Sequence, residues 1–261
     1  YGQLIGEIGE IMVFDRYLSL DDRERIEGYL AHKWSITEDL AGTTFKTKEG
    51  LSLYFPFEET DGSAIFDSSK AKRNATLNNI PGSDLAVAGK FGSGLRLGSG
   101  SDSYIDMGAN QVPLSNDWTI STWLEGPLVE TGVDFRRTLA AGGNARHVVF
   151  KKGGIEELGI YVSGAIGFRG SGVNGNSLAA GWHQLIAVGK GSDTIFYLNG
   201  TEVGSSNYKV GAAIDTIGNF PSGWERFVDK IDDLRVYDRP LSPTEIVTLY
   251  GNGSGDFGGH P

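Results

Sequence analysis

The chain has 261 residues, 39% of them hydrophobic, which is ample for one large β domain or two smaller ones and excludes wholesale disorder. Its formal net charge is −10 at neutral pH, which repels phosphate backbones and anionic lipid, so nucleic acid and membrane surfaces are poor partners. It has no cysteine and no apolar run long enough to span a bilayer, which excludes disulfides, thiolate zinc sites, thiol nucleophiles and membrane insertion by a helix.

In chain order, residues 4–18 read as a strand, and a helix follows. Ser19 is a natural N-cap, because its hydroxyl accepts from an otherwise unpaired N–H of the first turn. Asp21 and Asp22 place negative charge at the positive end of the helix dipole, and Ile26, Tyr29, Leu30 and Trp34 recur at helical spacing. Residues 35–50 are polar and read as a connector. From Leu51 onward, short strands are separated by turns: 51–57, 75–79, 94–98, 103–108, 117–126, 136–143, 146–152, 157–164, 165–172, 181–191, 194–206, 212–219 and 228–238. Their pitch is that of a β-sandwich, and no helical pattern alternates with them, so a parallel α/β sheet is excluded. Within 194–206, Asn199-Gly200 supplies the two positive-φ residues of a type I′ hairpin turn. After the last strand, Ser242 caps a second helix, Pro243 takes its first position, Glu245 completes a capping box and Gly251 stops it. Residues 252–261 form a glycine-rich linker.

The two ends say nearly the same thing. "IGEIMVFDRYLS" at 8–19 and "IDDLRVYDRPLS" at 231–242 share Ile, Val, Asp, Arg, Leu and Ser, and a capped helix follows each. Divergent duplication of a closing strand and helix accounts for this. The expected organisation is the end of a preceding repeat at 1–34, a connector at 35–50, one complete domain at 51–251 and a linker at 252–261. The opening in mid-pattern reads as a fragment of a longer protein.

Four motifs in order resemble a known family. "LYFPFEETDGSAIFDSSKAKRNATL" (53–77), "FGSGLRLGSGSDSYIDMG" (91–108), "GWHQLIAVGKGSDTIFYLNGTEVGSS" (181–206) and "KIDDLRVYDRPLSPTEIVTLY" (230–250) are similar to the successive motifs of laminin G-like, concanavalin A-like lectin domains. The chain departs at Tyr54-Phe55-Pro56-Phe57, at Glu58 in place of Asp, and at Lys70–Asn74 in place of a glycine-rich turn. The resemblance implies an all-β jelly-roll sandwich of two antiparallel sheets with short peripheral helices. Leu53 and Val236, one from each end of the domain, are then neighbours. It also implies a secreted or cell-surface multidomain protein, a structural calcium ion, and glycan or extracellular-protein ligands.

Calcium takes six to eight oxygens from carboxylates, carbonyls and water. Glu58, Glu59, Asp61, Asp67 and Asn74 in the opening loop and Asp232 and Asp233 in the closing strand supply acids and an amide oxygen. In the family these two segments lie side by side and the ion staples them, so Glu58, Asp67, Asn74 and Asp232 are the expected ligands. The alternative is turn chemistry, in which Asp and Ser satisfy local N–H groups. The acid pattern of a sandwich glucanase is absent, and Glu156 and Glu157 are adjacent and point to opposite faces. None of the four histidines stands at i, i+4 from another, and His183 reads as half-buried in a strand. Sugar sites use aromatic faces, for which Trp123, Tyr161, Phe168, Tyr208, Phe220 and Trp224 are candidates. Trp224, Phe220 and Tyr208 are the expected ligand-binding residues. The expected function is a non-catalytic module binding glycan or protein, joined to neighbouring domains. The alternatives are a structural spacer or adhesin repeat, and a polysaccharide hydrolase or lyase on the same fold.

Overall fold

The computed structural model describes residues 11–13, 49–98, 103–114, 116–128, 136–151, 155–219, 225–227 and 229–251. The chain divides into two compact units, residues 1–46 with 256–261 and residues 47–255. Of the first unit only 11–13 are described, and these three residues form neither strand nor helix, unlike the strand expected over 4–18. The remainder of that strand, the helix after Ser19 and the linker at 252–261 lie outside the described residues.

The second unit is built of strands β1 (Leu51–Phe55), β2 (Ala64–Ile65), β3 (Ala75–Asn78), β4 (Val87–Ala88), β5 (Ser93–Arg96), β6 (Tyr104–Asp106), β7 (Trp118–Gly126) and β8 (Arg136–Gly142), followed by β9 (Ala145–Lys151), β10 (Glu157–Val162), β11 (Gly167–Asn174), β12 (Gly181–Lys190), β13 (Asp193–Leu198), β14 (Thr201–Ser206), β15 (Thr216–Ile217) and β16 (Lys230–Tyr237). One helix, α1 (Pro243–Gly251), closes the described residues. The first sheet runs β14-β13-β12-β7-β16-β5-β4, with β1 also paired to β16; the second runs β11-β10-β9-β8-β15-β6-β3-β2. Every strand pair is antiparallel. Leu53 lies opposite Val236, so the two ends of the unit are neighbours as expected.

Alternation explains the core. Trp118, Ile120 and Leu124 of β7, Leu185 and Ala187 of β12 and Phe196 of β13 meet Leu139, Val148, Phe150, Leu158 and Ile160 of the second sheet in one buried cluster. The intervening residues of the first sheet face outward. Ile186, Val188, Tyr197 and Tyr237 form a second apolar cluster there, which Leu241 and, from α1, Ile246 and Leu249 cover. The helix is fixed by the expected capping box. Ser242 N donates to Glu245 Oε2 (2.9 Å) and Glu245 N to Ser242 Oγ (3.3 Å).

Simple alternation breaks in two places. A bulge in β16 between Asp232 and Arg235 puts Asp233 at φ 52°, so Ile231 and Leu234 both reach the core while Asp232 faces outward. The strand expected over 212–219 shrinks to the two residues that pair with β6 on one side and β8 on the other, together with a Val112–Ile214 bridge. At one side of the sandwich the edge strands β11 and β14 shield each other, with Ser206 Oγ donating to the Arg169 carbonyl (2.7 Å).

Candidate functional site

The opening loop and closing strand meet, as expected, but their acids do different work. Asp67 is buried and its two oxygens accept from four protein donors: Tyr54 N (2.9 Å), Ser69 N (2.8 Å), Ser69 Oγ (2.8 Å) and Arg73 N (2.7 Å). Asn74 Oδ1 accepts from Asp67 N (3.0 Å), which closes this turn on itself. Glu58 and Asp232 instead flank the turn between β4 and β5. Phe91 N donates to Asp232 Oδ2 (2.8 Å), and Ser93 N to Glu58 Oε2 (3.1 Å). Both carboxylates press on glycines: a Cβ at Gly92 would stand 2.6 Å from Glu58 Oε1, and one at Gly89 would stand 2.8 Å from Asp232 Oδ2. Positive φ at Phe57 (58°) lets its ring enter the core while Glu58 turns toward this loop.

Asp232 is 1% exposed, and its Oδ1 has no hydrogen-bond partner among the described residues. Desolvation, with Asp233 beside it, pushes its carboxyl up to about 8. Trp123 lies directly opposite Asp232, and Gln184 directly opposite Trp123. Trp123 Nε1 and both terminal atoms of the Gln184 amide are likewise buried without partners among the described residues. Around the Trp123 ring stand Tyr250, stacked at 5.7 Å, the Phe91 edge at 5.7 Å and Lys90 Nζ at 4.5 Å. Among the described residues, no group of three or more His, Asp or Glu side chains converges as a metal site. The Asp67–Asn74 turn does not fit a cation, since each Asp67 carboxylate oxygen already accepts two hydrogen bonds. Glu58 and Asp232 do fit one, with an orphaned buried oxygen and two carboxylates against one glycine turn.

The aromatic residues come together elsewhere, on the outer face of the second sheet. Phe168, Tyr161, Arg146 and Ala141 are direct cross-strand partners on β11, β10, β9 and β8, so they form one row. Ile160 and Leu158 point into the core, which turns Tyr161 away from it. The adjacent row on the same face is small: Thr138, Val149, Gly159 and Gly170. The third row holds Lys151 and Glu157. The Phe168 ring lies over Gly159, where a Cβ would stand 2.9 Å from it, and the Glu157 carboxylate lies over Gly170. Arg146 stands over the Tyr161 ring at 5.0 Å, and Lys151 Nζ over Phe168 at 5.2 Å. Tyr161, Phe168, Lys151 and Glu157 are all half-buried. The face therefore offers two aromatic rings, a carboxylate and a cation on a rigid floor.

Two buried ion pairs frame it. Glu225 takes a bidentate grip from Arg146 (Nε 2.7 Å, Nη2 2.8 Å) and also accepts from Thr138 Oγ1 (2.8 Å). Glu156 takes the same grip from the fully buried Arg137 (3.0 and 3.1 Å), with Asp229 3.6 Å from Arg137 Nη1. Of the expected ligand-binding residues, Trp224 and Phe220 lie outside the described residues. Tyr208 packs against the inter-sheet core, and its carbonyl accepts from Thr194 Oγ1 (2.8 Å). Tyr161 and Phe168 were legible as aromatic candidates. Their union with Arg146 and Lys151 depends on register, which no single strand announces.

A family model described as the concanavalin A-like lectin/glucanases superfamily matches residues 99–247. No curated protein matches the sequence. Among solved structures, the binding domain of Paraclostridial Mosquitocidal Protein 1 is similar at 16% identity and TM-score 0.54, over 78% of this chain and 52% of that one. Domain 4 of AbnA, an extracellular arabinanase from Geobacillus stearothermophilus, in complex with arabinotriose, is similar at 19% identity and TM-score 0.55, over 77% of this chain and 98% of that one. A Trypanosoma rangeli sialidase in complex with the inhibitor DANA is similar at 15% identity and TM-score 0.57, over 88% of this chain and 39% of that one. The chain thus spans about half of the first of these structures and well under half of the sialidase. At these identities the likeness concerns the fold.

Proposed function

The chain belongs to the concanavalin A-like lectin/glucanases superfamily, and on that premise we propose that it is a non-catalytic glycan-binding module of a secreted or cell-surface multidomain protein. The observation that carries this reading is the row of Phe168, Tyr161 and Arg146 across three adjacent strands, beside Lys151 and Glu157 and above two glycines. Sugar rings present apolar C–H faces and hydroxyl rims. Aromatic rings take the former, and a carboxylate and an ammonium accept from and donate to the latter. Domain 4 of AbnA was solved with an arabino-oligosaccharide, and it is matched over nearly its whole length. A hydrolase would need a carboxylic acid and a carboxylate held ready across the scissile bond. Glu156 and Glu225 are instead each held by an arginine through two hydrogen bonds, which fixes their orientation away from such a role.

Calcium belongs to the same proposal, as a structural ion. Glu58 and Asp232, with carbonyl oxygens of their shared turn, would hold it. The ion would supply the positive charge that buried Asp232 lacks and would tie the first loop to the last strand. Removing it would leave the binding face intact and loosen the chain ends.

The test is binding of the purified chain to a glycan panel. Tyr161→Ala and Phe168→Ala should each weaken binding by about tenfold, a loss of about 1.4 kcal/mol and within the range of an aromatic contact, with unchanged melting temperature. Unaltered binding in both variants would contradict the site.

A further inference from the structure

Among the cations on the outer face of the second sheet, Arg146 is neutralised by Glu225, while Arg137, pointing inward from β8, is consumed by Glu156. Lys209 and Lys230, elsewhere on the molecule, hold Asp117 (2.6 Å) and Glu125 (2.8 Å). Lys151 has no carboxylate within ion-pair distance among the described residues. Its cross-strand neighbour Glu157 is turned away, accepting from Gly172 N (2.9 Å), and its neighbour on the other side is Arg136. The ammonium stands over Phe168 instead.

From this geometry we infer that the ligand of the face is an acidic glycan, carrying carboxylate or sulfate groups, and that Lys151 reads the charge. The inference rests on the glycan reading of the same face. Two further facts support it. Residues 136–174 carry six Lys and Arg against two acids, and six against four once Glu225 and Asp229, the partners of Arg146 and Arg137, are added, so the region stays net positive in a chain whose net charge is −10. A local field of opposite sign to the rest of the molecule selects its ligand by charge. Lys151 is also half-buried, so its unpaired charge gains more from an anion than a fully hydrated lysine would. With a ring beneath the sugar and an ammonium at its rim, the pair reads both the C–H face and the acidic substituent.

The experiment titrates the whole chain with polygalacturonate, dextran sulfate and unmodified dextran. The two acidic polymers should bind more tightly than dextran, with affinity falling as salt rises; whichever binds more tightly identifies the acid group. Lys151→Gln should weaken acidic binding by about tenfold and leave dextran unaffected, while Lys151→Arg retains it. Phe168→Ala should weaken all three. Acidic binding unchanged in Lys151→Gln, with Phe168→Ala still damaging, would overturn the charge inference and leave the face standing. Unchanged binding in both variants would overturn the face itself.

Discussion

At the scale of single residues, two acids that look equivalent in the sequence separate by what surrounds them. Asp67 has no oxygen to spare, so Asp67→Ala removes four accepted hydrogen bonds and leaves buried N–H groups unpaired. It should cost about 3–5 kcal/mol by chemical denaturation, equally with calcium or with chelator. Asp232 should behave in the opposite way. Its folded carboxyl lies near 8 against an ordinary value of 3.8, so the folded chain holds a proton that the unfolded chain has released. That contribution is full below pH 4 and lost as pH rises toward 8. In chelator, Asp232→Asn should therefore be at least as stable as the parent at pH 8. With calcium the parent should gain several degrees in melting temperature and the variant should not. A calcium shift that survived in Asp232→Asn would contradict the assignment. His147 runs the other way. It is fully buried against Trp118, and desolvation pushes it down to about 4 from 6.5. The unfolded chain binds that proton first, so stability is complete above pH 6.5 and lost as pH falls toward 4. His147→Gln should flatten that acid limb in urea melts at stepped pH.

At the scale of elements, buried ion pairs anchor the segments that carry no regular structure. Arg137 on β8 is fully buried and holds Glu156 ahead of β10 and Asp229 ahead of β16. Arg137→Met removes the cation that grips buried Glu156 and stands 3.6 Å from Asp229, and should lower stability by about 3–5 kcal/mol. A melting temperature equal to the parent's would show that these segments are held by other contacts. Elements were legible where the local pattern was sufficient. The Asn199-Gly200 turn, the capping box at Ser242 and Glu245 and the alternation of β7 are all present as read. The bulge at Asp233 was not legible. Strict alternation would place Ile231 and Leu234 on opposite faces, and only the packing of both into one core selects the extra residue. The two-residue strands β2 and β4 were missed for a related reason: their length is set by their partners, not by their own composition.

At the scale of the molecule, the order of motifs was sufficient to foresee two antiparallel sheets with the unit's ends paired, and Leu53 opposite Val236 realises it. The candidate site was only half foreseen. Tyr161 and Phe168 stood among six aromatic candidates, while Lys151 gave no signal and Glu157 was read only as an acid facing away from Glu156, because a binding face made of rows across strands is written in register and not in sequence spacing. Core and site are kept apart by this design. The inter-sheet cluster and helix α1 hold the first sheet, which leaves the outer face of the second free to vary. Ligand should therefore meet that outer face. The most direct measurement is a backbone and side-chain NMR titration of the whole chain with an oligogalacturonide. The predicted result is shift changes concentrated at Tyr161, Phe168, Lys151 and the Gly159 and Gly170 amides. Changes confined to the Trp123–Asp232 side of the first sheet would contradict it.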